Sequence, residues 1–421
     1  MDCMNLHTVY PVLTTILLIV PMAFGTHMAI HTSAADTDYF PQDEWRTSAP
    51  ELQNMDPDIL HNMLEYYQTN NVSVDSIVIV KNGYVIMEEY PSTYGPNSTH
   101  QIFSCTKSIT STLFGIAIDN GYIDGVNESV LGFFKDRSIE NMDSRKNSIT
   151  IKHLLTMTAG FDWTELYRES ESDFDQMTRT SDWIQYVLDR PMESEPGLKF
   201  VYNTGASHLL SAILQIATGA TMSEFARTQL FTRLGIPDFE WSEDPKGITI
   251  GGTQLRLRPL DMAKIGYLYL RDGQWDGEQI IAHGWINEAT SPFVNTTLRE
   301  APGLIESIGY GYQWWVHSEL GAYSAFGWGG QSIIVVPEHD IVAVFTARSS
   351  DPSIYASRIL TNWILPAAGE QVTEPQYSDP LAQYIFGSSA GLFFGLLIIT
   401  MPLPVALILV KELPEESIDD S

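Results

Sequence analysis

The chain has 421 residues, with Lys+Arg 23 against Asp+Glu 52, a formal net charge of −29 and 44% hydrophobic residues. That length fits two sub-domains or one domain with an insertion, and the apolar content supplies a sizeable core. The acidic balance argues against nucleic acid, whose phosphates need basic patches, and reads as a solvated acidic surface, with attraction of cationic substrates as the sharper alternative.

In chain order, VYPVLTTILLIVPMAFG (9–25) is an apolar run of signal-peptide length, followed by small residues at Ser33, Ala34 and Ala35. The preceding MDCMNLH carries no Lys or Arg, so an uncleaved N-terminal anchor is the alternative for residues 1–35. Residues 36–60, with Pro41, Pro50 and Pro57, read as a lead-in. SIVIVKNGYVIMEEY (76–90) is two β-rich runs about Asn82-Gly83, a hairpin signal. From about Ser104 the pattern is helical: SITSTLFGIAIDNG, IKHLLTMTAG and ASHLLSAILQIATG each close near glycine. After Gly251, RPLDMAKIGYLYLRDG predicts a helix, and GYGYQWWV, SAFGWGG and SIIVVPEHDIVAVFTA predict strands and turns, with a second hairpin at Pro337–Asp340. DPSIYASRILTNWIL predicts a closing helix. Strands at both ends of this region with helices between predict an α/β (α+β) domain over 36–365, with an all-helical insertion at about 104–250. Residues 366–385 read as a polar linker, and FGSSAGLFFGLLIITMPLPVALILV (386–410) has the length of a transmembrane helix, ahead of the short acidic tail 411–421. The expected location is the cell membrane, with the catalytic domain extracytoplasmic.

Of the two cysteines, Cys3 precedes the first apolar run, and Cys105 reads as a packing residue with no disulfide partner once the N-terminus is removed. No HxxH, HExxH or CxxC spacing supports a metal site, and no cofactor is implied.

Three stretches carry chemistry. In SCTK, Ser104 and Lys107 are three apart and share the face of a helix's first turn. A serine hydroxyl needs a proton acceptor to become a nucleophile, and a lysine serves as one only where its surroundings lower its pKa. The plainer reading is a capping serine beside a surface lysine, yet no other lysine in the chain has a serine three places before it. In YNTG, Tyr202 and Asn203 precede a helix, and a phenol near an ammonium can share protons with a serine; a packed tyrosine and a turn asparagine are the alternative. In GWGGQ, Gly329 and Gly330 permit close backbone approach, and the Gln331 amide is placed to join an oxyanion hole, with a glycine bulge as the alternative. GSSAG (387–391) matches a hydrolase elbow, but it opens the apolar segment and no strand precedes it.

Together these stretches, with ITIKHLLTMTAGFDW, RPLDMAKIGYLYL and GYGYQWWV, resemble the serine β-lactamase and penicillin-binding-protein superfamily over roughly residues 50–365, nearest the class C β-lactamase-related branch of esterases, D-amino-acid peptidases and amide hydrolases. The resemblance implies a β-lactamase/transpeptidase-like sandwich of an antiparallel sheet with helices. It matches Ser104 to the nucleophile, Lys107 to its partner and Tyr202 to the tyrosine of Tyr-x-Asn. It sets Trp328-Gly329-Gly330 where the family has Lys-Thr-Gly, and implies oxyanion amides from Ser104 and Gln331. Two departures stand out. Asn203 falls one place early, with Thr204 in the expected position, so substrate binding falls to Asn203 or Thr204. Trp328 replaces a lysine that pairs with the substrate carboxylate, which implies a tilt toward neutral or apolar esters and amides unless Arg256, Arg258 or Arg348 restores the charge.

The expected function is a membrane-anchored serine hydrolase that forms an acyl-enzyme with a small-molecule or peptide-like acyl substrate. Lys107 and Tyr202 are alternatives for the base. The rivals are a D,D-carboxypeptidase or D-aminopeptidase, a true β-lactamase, and a non-enzymatic acylatable sensor.

Overall fold

A computed structural model describes residues 39–42, 44–165, 172–296 and 308–372. The expected signal or anchor segment (1–35), the 386–410 span, the tail and most of the linker lie outside the described residues. Among the described residues no single helix is long and apolar enough to cross a membrane.

The strands are β1 (Val74–Lys81), β2 (Tyr84–Glu89), β3 (His100–Gln101), β4 (Glu240–Trp241), β5 (Leu255–Leu257), β6 (Gln274–Trp275), β7 (Glu278–Gln279), β8 (Val294–Asn295), β9 (Gly309–Tyr310), β10 (Trp315–His317), β11 (Ala322–Gly327), β12 (Gln331–Val336) and β13 (Ile341–Ala347). The main sheet runs β2-β1-β13-β12-β11-β10-β9-β8, antiparallel at every pairing. The architecture is an α/β fold built on this large antiparallel sheet with helices on its faces. The β1–β2 hairpin turns through Asn82 (φ 52°) and Gly83 (φ 74°), two consecutive left-handed residues, which the strand twist favours and Asn-Gly accommodates. β1 then pairs along its length with β13, Ile77 opposite Phe345 and Val80 opposite Val342, so strands from distant parts of the chain form the middle of one sheet.

Side chains alternate across this sheet. Val78, Val80, Ile333, Val335, Val342 and Val344 enter the core shared with the helical block. Their neighbours Ile77, Ile79, Ile334, Val336, Ala343 and Phe345 enter a second core. That second core is closed by Leu60, Met63 and Tyr67 of the Pro57–Thr69 helix and by Ile359, Leu360 and Ile364 of the helical run over 356–367. With both faces covered, the strands carry unbroken apolar runs instead of a polar–apolar alternation.

The segment between β3 and β4 is helical, with Cys105–Asp119 and Thr204–Thr218 its longest helices. Cys105–Asp119 is buried from Cys105 to Ala117, on every side, as befits a central helix. It ends at Asn120 with Gly121 left-handed at φ 72°, where the sequence placed its stop. IKHLLTMTAG is shorter than expected: the helix spans Ile151–Leu155, because Met157 turns left-handed at φ 58° well before Gly160.

The Pro259–Leu270 helix lies across β12 and β13. A Cβ on Gly266 would sit 2.5 Å from Val342 Cγ1 and 2.9 Å from Ile333 Cγ2. Gly266→Val is therefore expected to lower the unfolding free energy by about 1–3 kcal/mol through overpacking, read from denaturant midpoints. Gly284→Ala, whose added methyl meets nothing within 4 Å, is the helix-glycine control and should be neutral or mildly stabilising.

Candidate active site

Ser104 stands at the junction of β3 and the Cys105–Asp119 helix. Ile102 donates its N–H to Leu255 O at 2.9 Å, tying this stretch to β5, and Phe103 then turns left-handed at φ 45°. A non-glycine residue held there carries backbone strain. Ser104 is the helix N-cap, yet its own φ and ψ are helical and its side chain caps nothing. The hydroxyl is thus left to other partners.

Lys107, one turn on, is 1% exposed. Its Nζ lies 3.1 Å from Ser104 Oγ, 2.9 Å from Thr204 Oγ1 and 2.8 Å from Gly252 O. Among the described residues no carboxylate oxygen bonds it, and Nζ sits 4.8 Å from the centre of the Tyr202 ring. Burial pulls its pKa down from 10.5 to about 8, with Glu165 and Cys105 opposing. Gly252 reaches the amine because the loop before β5 runs against the Thr204–Thr218 helix. A Cβ at Gly251 would meet Ser207 O at 2.2 Å, and one at Gly252 would meet Thr204 Cγ2 at 2.7 Å.

Tyr202 is buried and stacks on Trp315, ring centres 5.8 Å apart and 16° from parallel. Burial pushes its phenol well above the ordinary tyrosine range, and its hydrogen bond with Ser104 opposes that shift. Asn203 and Thr204 part company. Asn203 is 3% exposed, and its Oδ1 accepts from Ala206 N at 2.8 Å, so it caps the Thr204–Thr218 helix instead of facing the cavity. Thr204 both lines the cavity and touches Lys107.

Trp328, Gly329 and Gly330 form the β11–β12 turn, the two glycines at φ 80° and 92°. Only glycine suits Gly330, where a Cβ would stand 2.1 Å from Ile354 Cδ1. Gly327 O accepts from Gly330 N at 3.3 Å inside the hairpin. No peptide in the described chain is cis, so the N–H of Trp328 points the opposite way, out of the hairpin at the β11 edge beside Ser104. Gln331 does not line the cavity. It faces Gly327 across the ladder at 2% exposure, and its Nε2 donates to Trp328 O at 3.2 Å and to Ala347 O at 2.5 Å. It therefore clamps the turn, and the N–H beside Ser104 is that of Trp328, where the sequence pointed to Gln331. Cys105 is buried, its Sγ 3.4 Å from Gln331 O and its thiol pushed well above the usual range by burial, in keeping with packing.

These residues border a cavity of about 470 Å³. Among the described residues its walls are aromatic, from Phe103, Phe174, Trp315, Phe326, Trp328 and Tyr355, and the charged side chain lining it is Glu165. Sequence reasoning missed Glu165 and Gly252; the signals available were the WTE following TAGFD and the paired glycines of ITIGGT. Glu165 accepts from Trp163 Nε1 at 2.7 Å, from Thr204 N at 2.9 Å and from Thr204 Oγ1. The three arginines that could have replaced the missing cation are engaged elsewhere: Arg348 with Asp75, Arg258 with Asp261, and Arg256 with Thr99 O and Glu240. Among the described residues no group of three or more His, Cys, Asp or Glu side chains gathers to hold a metal.

A family model described as Beta-lactamase matches residues 61–361. The 6-aminohexanoate-dimer hydrolase of Paenarthrobacter ureafaciens is 22% identical over 293 residues, covering 66% of this chain and 73% of that protein. Among solved structures, the octameric penicillin-binding protein homologue from Pyrococcus abyssi superposes with a TM-score of 0.58 at 20% identity, over 78% of this chain and 80% of that one. A family VIII carboxylesterase superposes at 0.58 and 12% identity, over 76% of this chain and 98% of that one.

Removing the Asn203 cap separates its two candidate roles. Asn203→Ala is expected to cost about 1 kcal/mol in urea unfolding while KM for a small ester stays unchanged, and Asn203→Asp to restore the stability.

Proposed function

This chain belongs to the β-lactamase family, and from that premise we propose that it is a serine hydrolase acting through an acyl-enzyme on neutral, apolar esters or amides. One observation carries the reading: a lysine amine buried to 1% exposure, with its pKa lowered to about 8, lies 3.1 Å from the hydroxyl of a serine that caps nothing.

In acylation, Ser104 Oγ attacks the substrate carbonyl carbon as its proton passes to Lys107 Nζ. The C=O π pair moves onto oxygen, which the N–H groups of Ser104 and Trp328 receive. Collapse of this intermediate breaks the bond to the leaving group, which departs with a proton delivered from Lys107. The Tyr202 phenol, hydrogen-bonded to Ser104, is neutral at working pH and orients the hydroxyl. It supplies no phenolate, so Lys107 is the base. Water then adds to the acyl carbon, gives a proton to Lys107, and releases the acid as Ser104 recovers its own.

The substrate preference follows from the walls. Among the described residues the aromatic side chains and one carboxylate offer no cation to a substrate carboxylate, and Trp328 contributes an apolar face. That the similar proteins include a 6-aminohexanoate-dimer hydrolase and a carboxylesterase supports acyl-bond hydrolysis as the reaction class. The apolar run at 386–410 supports a membrane anchor for this domain, and the run at 9–25 an extracytoplasmic location. Recovery of the full-length chain from alkali-washed membranes, set against a chain ending at Val372, tests the anchor.

Ser104→Ala should abolish both ester turnover and covalent labelling by a fluorophosphonate, followed by intact mass; labelling that persists in that variant overturns the assignment. Because the base is the neutral amine, kcat/KM for p-nitrophenyl esters should rise with pH through about 8 and level above it. Turnover of a chromogenic cephalosporin as efficient as that of the esters would refute the substrate preference.

A further inference from the structure

Glu165 stands three hydrogen bonds from the nucleophile, through Thr204 and Lys107, and resting on the serine-hydrolase reading we infer that it is a positioning residue. By taking the Thr204 Oγ1 proton, it turns that hydroxyl's lone pair to Lys107 and so leaves the amine's own lone pair facing Ser104.

The protons available fix the direction of each bond. An ionised carboxylate only accepts. Glu165 Oε2 receives two obligatory donors, Trp163 Nε1–H at 2.7 Å and Thr204 N–H at 2.9 Å, so its orientation is set. Oε1 is then presented to Thr204 Oγ1, whose single proton goes to it. A threonine hydroxyl that has given away its proton can only accept from Lys107 Nζ, 2.9 Å away. Gly252 O, at 2.8 Å, is a carbonyl and also only accepts. A neutral lysine amine has two N–H bonds and one lone pair. Both N–H bonds are claimed, and the remaining direction is Ser104 Oγ at 3.1 Å. When the serine proton arrives, the ammonium has three N–H bonds for the same three oxygens, so nothing must rotate during the transfer.

Without the carboxylate the count changes. In Glu165→Gln the amide oxygen can keep the Trp163 and Thr204 N–H groups, while its NH2 donates to Thr204 Oγ1. The hydroxyl proton then turns to Lys107 and occupies the lone pair that Ser104 requires. The groups facing Lys107 are Glu165, Tyr202 and Cys105, with the hydroxyls of Ser104 and Thr204. Burial keeps Tyr202 and Cys105 protonated, so Lys107 alone titrates in the acid limb and Glu165 is the charge that holds it up.

The experiment measures kcat, KM and the pH–rate profile on a p-nitrophenyl ester for full-length wild type, Glu165→Gln, Glu165→Asp, Thr204→Val and the Glu165→Gln/Thr204→Val pair, with thermal unfolding as the check on folding. Glu165→Gln should lower kcat by about 10- to 100-fold, part of what a general base contributes, with KM within about twofold and the acid limb moved to lower pH. Glu165→Asp should keep the limb where the wild type has it. In the Thr204→Val background, which has no hydroxyl to turn, Glu165→Gln should add little further loss. Wild-type kcat and limb in Glu165→Gln, a limb moved to higher pH, or multiplicative losses in the double variant would each overturn the inference. Should Glu165→Gln fail to fold, the Asp variant decides: a shifted limb overturns the inference. Labelling that stays on Ser104 throughout keeps the hydrolase reading intact whichever way this falls, whereas loss of Ser104 labelling in the wild type would fail that reading itself.

Discussion

A lysine amine withdrawn from water is destabilising unless acceptors meet its N–H groups, and Lys107 meets them with three oxygens from three separate places. Ser104 comes from the turn after β3, Thr204 from the first residue of a second helix, and Gly252 from the loop before β5. Satisfying one nitrogen therefore fixes where these segments converge. The close approach at Gly251 and Gly252 and the Asn203 cap that sets the entry to the Thr204–Thr218 helix both serve that convergence. The burial that makes the amine demanding also lowers its pKa, so the same constraint organises the fold locally and shifts the amine toward its neutral form.

The sheet supplies the other half of the site. β11 and β12 pair in register down to Gly327 opposite Gln331, and the turn beyond them overhangs Ser104. That turn would be free to move were it not held from behind. Gln331 grips Trp328 O and Ala347 O, while Gly329 and Gly330 let the turn pack on β13 and Ile354. β13 is itself central, flanked by β1 and β12 and buried on both faces. The amide that borders the cavity is thus anchored to the most constrained strand of the sheet.

This division explains what was legible in the sequence. Asn82-Gly83 announced its hairpin because the signal is local turn chemistry, and Ser104–Lys107 announced itself because one helical turn sets the spacing. The neighbourhood of Tyr202 was legible, but the direction of each side chain within YNTG was not, since Asn203 is drawn to the open Ala206 amide at a buried helix start. Gln331 was misassigned for a related reason: which N–H leaves a hairpin depends on how its carbonyls pair, and that is settled by register. Glu165 lay beyond reach because its partner Thr204 is 39 residues away, and Gly252 because it meets Lys107 across 145 residues. Such contacts belong to the packing of helices, not to any spacing.

Charge then acts at two ranges in the same direction. At long range the chain carries a formal −29, a field that slows the approach of anions and falls off with salt. At short range the cavity presents aromatic rings and one carboxylate, and the nearby arginines are bonded to Asp75, Asp261 and Glu240. Among the described residues at the site the remaining cation is Lys107, which lies beneath the wall with its Nζ bonded to three oxygens. An acyl compound bearing a carboxylate would lose its hydration on entering and meet no opposite charge in return. A neutral ester or amide would give up no charge hydration, and the rings would replace the water against its apolar parts. Trp328 therefore leaves a wall without positive charge, because among the described residues no other side chain lining this cavity supplies a cation.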